Sequence, residues 1–100
     1  MIDILKKIPS DFQEDLKTAI KILQSAGCTE IYIFGSIAHG EVRTDSDIDI
    51  AVKGCPKDIF FKLLGTLLIT LNHSVDLIDL DSSTRFNDFL IKHEDLVRVA

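Results

Sequence analysis

The chain has 100 residues, 16 acidic against 11 basic, for a formal net charge of −5, and lacks the basic face that stand-alone DNA or RNA binders present, so direct nucleic-acid binding is not expected. An apolar fraction of 46% supports one packed domain over residues 1–100 rather than a disordered chain. No apolar run approaches the roughly 18 residues of a membrane span, and MIDILKKIPSDF lacks a secretory pattern, so no membrane association and a cytoplasmic location are expected.

In chain order, IDILKKI before Pro9 is read as a further helical turn. Residues 10–26 form an amphipathic helix: Phe12, Leu16, Ala19, Ile20 and Leu23 recur at three- and four-residue steps. Ser10 is the expected N-cap, Gln13 completes a capping box, and Gly27 is the stop. Residues 30–34 (EIYIF) are β-branched and aromatic, hence a strand. Gly35 and Ser36 end it, Ile37 begins a short helix, and residues 42–45 form a loop. Residues 47–53 (DIDIAVK) alternate as a second strand, broken by Gly54, Cys55 and Pro56. Residues 58–71 are a second long helix with a broad apolar face, and residues 74–80 (SVDLIDL) a third strand. Ser82 or Ser83 caps a last short helix carrying Phe86, Phe89 and Leu90, and residues 96–99 are read as a closing strand. The expected fold class is α/β (α+β): a small mixed sheet packed against helices, with the phenylalanines and leucines as core. Cys28 and Cys55 belong to no CxxC pair and are expected as buried or free thiols.

The chemistry concentrates in residues 35–50, GSIAHGEVRTDSDIDI. Successive side chains of a strand point to opposite faces, so Asp47 and Asp49 share one face with Cα atoms about 6.6 Å apart. Ile48, Ile50 and Val52 point the other way, into the core. Two carboxylates this close repel, and a divalent cation relieves the repulsion. Oxygen ligands alone favour Mg²⁺, Mn²⁺ or Ca²⁺ over zinc. On the third strand Asp76 shares a face with Ile78 and Leu80, whereas Asp79 lies with Val75 and Leu77. If this strand pairs beside residues 47–53, Asp76 completes a three-carboxylate site, while Asp79 and Asp81 are read as surface or capping residues. Gly35 has no Cβ and lets a phosphate approach the backbone, and Ser36 offers a hydroxyl. Gly40 ends the short helix or turns left-handed. Asp45 starts DSDID like an EF-hand loop, but Ile50 and Pro56 occupy the positions that need glycine and glutamate, so Asp45 is read as a loop charge. His73 and His93 sit near helix ends and are not expected to bind a ligand.

The spacing Gly35-Ser36-x-x-x-Gly40, six residues, Asp47-x-Asp49 resembles the signature of the polymerase-β-like nucleotidyltransferases. The size and the later VDLID are similar to the minimal nucleotidyltransferase (MNT) members. The resemblance implies that Gly35, Ser36 and Gly40 hold the triphosphate of ATP. It implies that Asp47, Asp49 and Asp76 bind Mg²⁺, two ions, and carry catalysis. A nucleoside monophosphate, AMP foremost, would pass to a hydroxyl. The resemblance also implies a partner, a small helical HEPN-type toxin that the MNT chain counters as antitoxin, with homo- or hetero-oligomeric assembly left open. Two alternatives stand beside this reading: a non-catalytic module that neutralises a partner by docking, and a small-molecule (antibiotic) nucleotidyltransferase. One departure is His39, where many minimal members carry arginine before the second glycine; histidine lacks the permanent charge and the fork of arginine.

Overall fold

The structure, a computed structural model, describes residues 8–82, 84–93 and 96–100, with the backbone only of His93. The helical turn expected before Pro9 falls outside the described residues except for Ile8, as does Ser83. The elements are α1 (Ser10–Ser25), β1 (Glu30–Phe34), α2 (Gly35–His39), β2 (Ile48–Lys53), a 3-10 turn (Lys57–Ile59), α3 (Phe60–Thr70), β3 (Val75–Asp79), α4 (Arg85–His93) and β4 (Val97–Arg98). The expected mixed α/β class is borne out.

The sheet has the order β3-β2-β1-β4. β1 pairs antiparallel with β2 and with β4, and β2 pairs parallel with β3. α3 makes the crossover between the parallel pair, as a parallel connection requires. One sheet face carries Ile31, Ile33, Ile48, Ile50, Val52, Val75 and Leu77 and packs against Phe12, Leu16, Ala19 and Leu23 of α1 and Leu63 and Leu67 of α3. The other face gathers Phe34, Ala51 and Leu80 beneath Leu90 of α4, with Tyr32, Ile78 and Leu96 around them. The alternation read in DIDIAVK thus has one large core on the isoleucine side and a smaller one on the aspartate side.

Several local expectations are corrected. α1 starts one residue earlier than a Ser10 cap allows: Pro9 is the N-cap, its carbonyl accepts from the Gln13 amide at 2.9 Å, and the Gln13 side chain reaches the Ile8 carbonyl at 2.6 Å. Proline suits that boundary because its fixed φ leads into a helix. Thr84, not Ser82, caps α4, its hydroxyl accepting from the Asn87 amide at 3.0 Å. Cys28 and Cys55 are not thiols but a disulfide, with Cα atoms 4.0 Å apart. The antiparallel β1–β2 pairing explains it, because Thr29 N donates to Lys53 O and brings the two flanking cysteines together. The assignment of phenylalanines and leucines to the core also fails in part: Phe61, Leu68, Phe86 and Phe89 are exposed, as is Ile69. The apolar face of α3 is wider than the sheet can cover.

Candidate functional site

Three chain ends meet at one edge of the sheet: the end of β1, the start of β2 and the start of β3. Antiparallel pairing sets Phe34 opposite Asp49, and parallel pairing sets Asp49 opposite Asp76. Asp49 and Asp76 are therefore strand neighbours, about 4.8 Å apart at the backbone, on the same sheet face. Asp49 is half-buried and Asp76 exposed. Asp47 precedes β2 by one residue instead of belonging to it, and is exposed. Asp79 lies toward the core side at the far end of β3, where its carboxylate accepts from the Asp81 amide at 2.9 Å and from the Ser82 hydroxyl at 3.4 Å. Asp81 in turn accepts from the Gly54 amide at 2.7 Å. Both act as turn caps, remote from Asp49.

Gly35 begins α2 directly after β1, with φ of +68°, and a Cβ there would overlap Oδ2 of Asp49. Only glycine meets both demands, the left-handed backbone and the close approach. Ser36 follows, half-buried, and its carbonyl receives the amides of Gly40 and, at 3.0 Å, Glu41. Gly40 is the left-handed C-cap of α2, φ +74°, in open space. The glycines thus take different parts: Gly35 makes room beside a carboxylate, and Gly40 turns the chain. His39 is exposed at the end of α2, and Arg43 is exposed in the loop that follows.

The donor set suits a hard cation, since the residues brought to this edge are aspartates. Among the described residues, no three His, Cys, Asp or Glu side chains converge as a preformed cage. Magnesium does not need one, because it commonly takes one or two protein carboxylates and completes its shell with water and substrate phosphates. Beside Asp47 a cleft of about 200 Å³ opens between residues 44–47 and residues 72–74.

One buried constellation was missed in the sequence. Asp15 of α1 is 3% exposed and accepts from the backbone amides of Asn72 and His73, both at 2.9 Å, and from the Asn72 side chain at 3.2 Å. His73 Nδ1 lies 2.7 Å from Asp15 Oδ2 and its Nε2 3.2 Å from Asp11 Oδ2, while the ring stacks on Phe12. A carboxylate only accepts, so the Nδ1 hydrogen points at Asp15. Burial alone would raise the Asp15 pKa, but the amide and imidazole donors outweigh it and hold the carboxyl below its ordinary value. The signal was present: Asp15 stands three residues after Phe12 and four before Ala19, on the apolar stripe of α1, where an aspartate needs a partner.

A second polar cluster closes the β1–β4 edge. The Tyr32 hydroxyl donates to Glu30, which also meets Arg98 at 3.7 Å. The bond to Glu30, then burial, raise the Tyr32 pKa.

Comparison with known proteins adds to this geometry. Residues 17–98 match the family described as polymerase beta, nucleotidyltransferase. The crystal structure of a toxin–antitoxin with AMP-PNP contains a chain 30% identical in sequence, covering 82% of this chain and 70% of that one, with a TM-score of 0.64. The toxin–antitoxin MntA-HepT contains one 27% identical, covering 84% and 69%, with a TM-score of 0.60. No curated protein matches the sequence. No helix among the described residues is long and apolar enough to cross a membrane.

Proposed function

The chain belongs to the polymerase β nucleotidyltransferase family, and from that premise we propose that it transfers AMP from ATP to a hydroxyl on a partner protein, as the antitoxin of a toxin–antitoxin pair. The observation that carries this reading is the register that sets Asp49 beside Asp76, with Gly35 backed against Asp49. Asp47, Asp49 and Asp76 would hold Mg²⁺; Gly35 and Ser36 would receive the triphosphate, with Gly40 shaping the turn beneath it. When bound, Mg²⁺ supplies the positive charge that neutralises phosphate oxygens. The chain's own part is to orient: Asp49 and Asp76 would face the reacting phosphate, and Ser36, directly after Gly35, would offer a hydroxyl donor. The acceptor hydroxyl gives its proton to Asp76 or to water, its oxygen bonds to the α-phosphorus, the bond to the β-phosphate breaks, and pyrophosphate leaves with the electron pair. Asp76, the more exposed of the strand pair, is placed either to complete the ligand set or to accept the proton of the acceptor hydroxyl.

Two observations support a protein partner. The similar solved chains come from toxin–antitoxin complexes. In addition, α3 exposes Phe61 by 82% and Ile69 by 87%, together with Leu68, on one side of the helix. Exposed apolar side chains of this size suit docking against an apolar helical surface. The test is incubation with the product of the neighbouring gene, Mg²⁺ and labelled ATP. Label should appear on the partner with the native chain and vanish with Asp49→Asn. Unlabelled partner in the presence of a chain that binds Mg²⁺ and ATP overturns the transfer reading. The exposed apolar side chains of α3 favour one second reading, an antitoxin that acts by docking alone. Calorimetry separates the two: a chain that binds its partner but neither ATP nor Mg²⁺ is a docking module.

A further inference from the structure

The proposed site depends on where β3 begins, and β3 begins from a loop anchored outside the sheet. After α3 ends at Thr70, the chain must turn and enter β3 at Val75, parallel to β2. The Asp15 carboxylate takes the two successive backbone amides of Asn72 and His73 in that turn, and the His73 ring closes over it. The next residue, Ser74, gives its carbonyl to the amide of Ile48 at 2.8 Å, the first ladder bond between the β3 entry and β2. Ile48 lies between Asp47 and Asp49, and Asp76 follows Ser74 by two residues. A single buried carboxylate on α1 is therefore tied, through three consecutive residues, to both halves of the carboxylate edge.

We propose that Asp15, with His73 as its lid, is a positioning residue that pins the β3 entry and thereby holds Asp76 level with Asp49. The inference rests on the reading of Asp49 and Asp76 as a pair, and it adds a helix that the nucleotidyltransferase motif does not include. Asp15 touches no reacting atom. Its carboxylate supplies acceptors to two backbone donors at once, which fixes the direction in which the chain leaves the turn. The His73 ring, held between Phe12 and two carboxylates, shields those bonds from water. Supporting shells of this kind typically change metal affinity by about 10–100-fold when removed.

The test compares Asp15→Asn, His73→Ala and His73→Asn in the full chain, well below each melting temperature. Asparagine at position 73 keeps a donor where Nδ1 stands. Two quantities are read: the dissociation constant for Mn²⁺ with ATP, and the exchange rates of the amides of Asp76 and Ile78, which face β2 in the parallel ladder. D15N and H73A should weaken Mn²⁺–ATP binding by about tenfold or more and speed exchange at both amides, while H73N stays near the wild-type values. If D15N and H73A melt earlier yet bind Mn²⁺–ATP as tightly as the wild type, Asp15 is structural only and the proposal is overturned. If D15N does not fold, the contrast between H73A and H73N decides in the same way. A wild-type chain that binds no Mn²⁺–ATP would refute the metal reading. The positioning claim would then stand or fall on β3 exchange, unchanged exchange in both variants overturning it.

Discussion

Gly35 is packed against Asp49 so closely that its missing Cβ is part of the site: the atom would overlap Oδ2 of the carboxylate. Gly35→Ala therefore faces two separate penalties. The left-handed backbone at φ +68° costs roughly 1–2 kcal/mol for a residue with a Cβ. Relief of the overlap must also move Asp49 out of line with Asp76. The expected result is a melting temperature several degrees lower, together with Mg²⁺–ATP affinity at least about tenfold weaker. Gly27→Ala is the control. Gly27 is also left-handed, at φ +104°, but its Cβ would meet only Pro56 at 3.7 Å, at the far end of the sheet. It should lose stability from backbone strain alone and leave nucleotide affinity intact, so thermal melts and calorimetry on the two variants separate backbone strain from site geometry.

Asp76 faces Asp49 across the β2–β3 ladder, and like charges directly opposite each other destabilise a sheet. Asp76→Asn removes one of the pair without changing shape. In chelator, the variant should melt at or slightly above the wild-type temperature. In Mg²⁺ and ATP the order should reverse. Ligand at a hundred times its dissociation constant stabilises a folded chain by about 2.7 kcal/mol, and D76N should lose most of that gain. A thermal-shift series with and without Mg²⁺–ATP reads both signs. A variant that keeps the full ligand-induced shift would remove Asp76 from the ligand set.

The parts of this architecture that were legible are those set by local pattern. Alternation in DIDIAVK identified the faces of β2, and parity together with the family resemblance separated Asp76 from Asp79, because alternation decides the side of a strand each residue takes. What escaped the sequence was set by contacts between distant residues. Asp15 and His73 are 58 positions apart, and nothing local announces that one will cap the other. The disulfide was missed for the same reason: only the β1–β2 pairing brings Cys28 to Cys55. Phe61, Leu68 and Phe89 were read as core because periodicity reports which side of a helix is apolar, not whether the sheet is wide enough to cover it.

Acid stability should carry the signature of Asp15. Its folded-state pKa is depressed, so its contribution is fully present above the ordinary carboxylate value and is lost as pH falls through the folded value. The window thus opens near about pH 4 and extends below it. Near neutral pH, Asp15→Asn should cost about 2 kcal/mol, the scale of hydrogen bonds to a charged group. As pH falls below about 4, the wild-type chain should lose stability more steeply than D15N, and the two curves should converge. Urea melts at a series of pH values measure this. A constant gap between the curves down to the lowest pH would mean that the Asp15 charge contributes nothing.

The disulfide and the carboxylate edge lie at opposite ends of the same two strands. Cys28 precedes β1 and Cys55 follows β2, whereas Gly35 follows β1 and Asp47 precedes β2. Strands of five and six residues separate the ends by roughly 17–20 Å. The bridge spans 27 positions, and a loop of that size closed in the unfolded chain corresponds to about 3–4 kcal/mol on the chain-entropy account. Cys28→Ser with Cys55→Ser, or treatment with a reductant, should therefore lower the melting temperature markedly. Below that temperature, Mg²⁺–ATP affinity should remain within about twofold of the oxidised chain, since changes at sites this far apart usually behave additively. Paired melts and calorimetry under reducing and oxidising conditions provide the check. Weakened binding in the reduced but folded chain would instead show that the far end of the β1–β2 pair sets the alignment of Asp49.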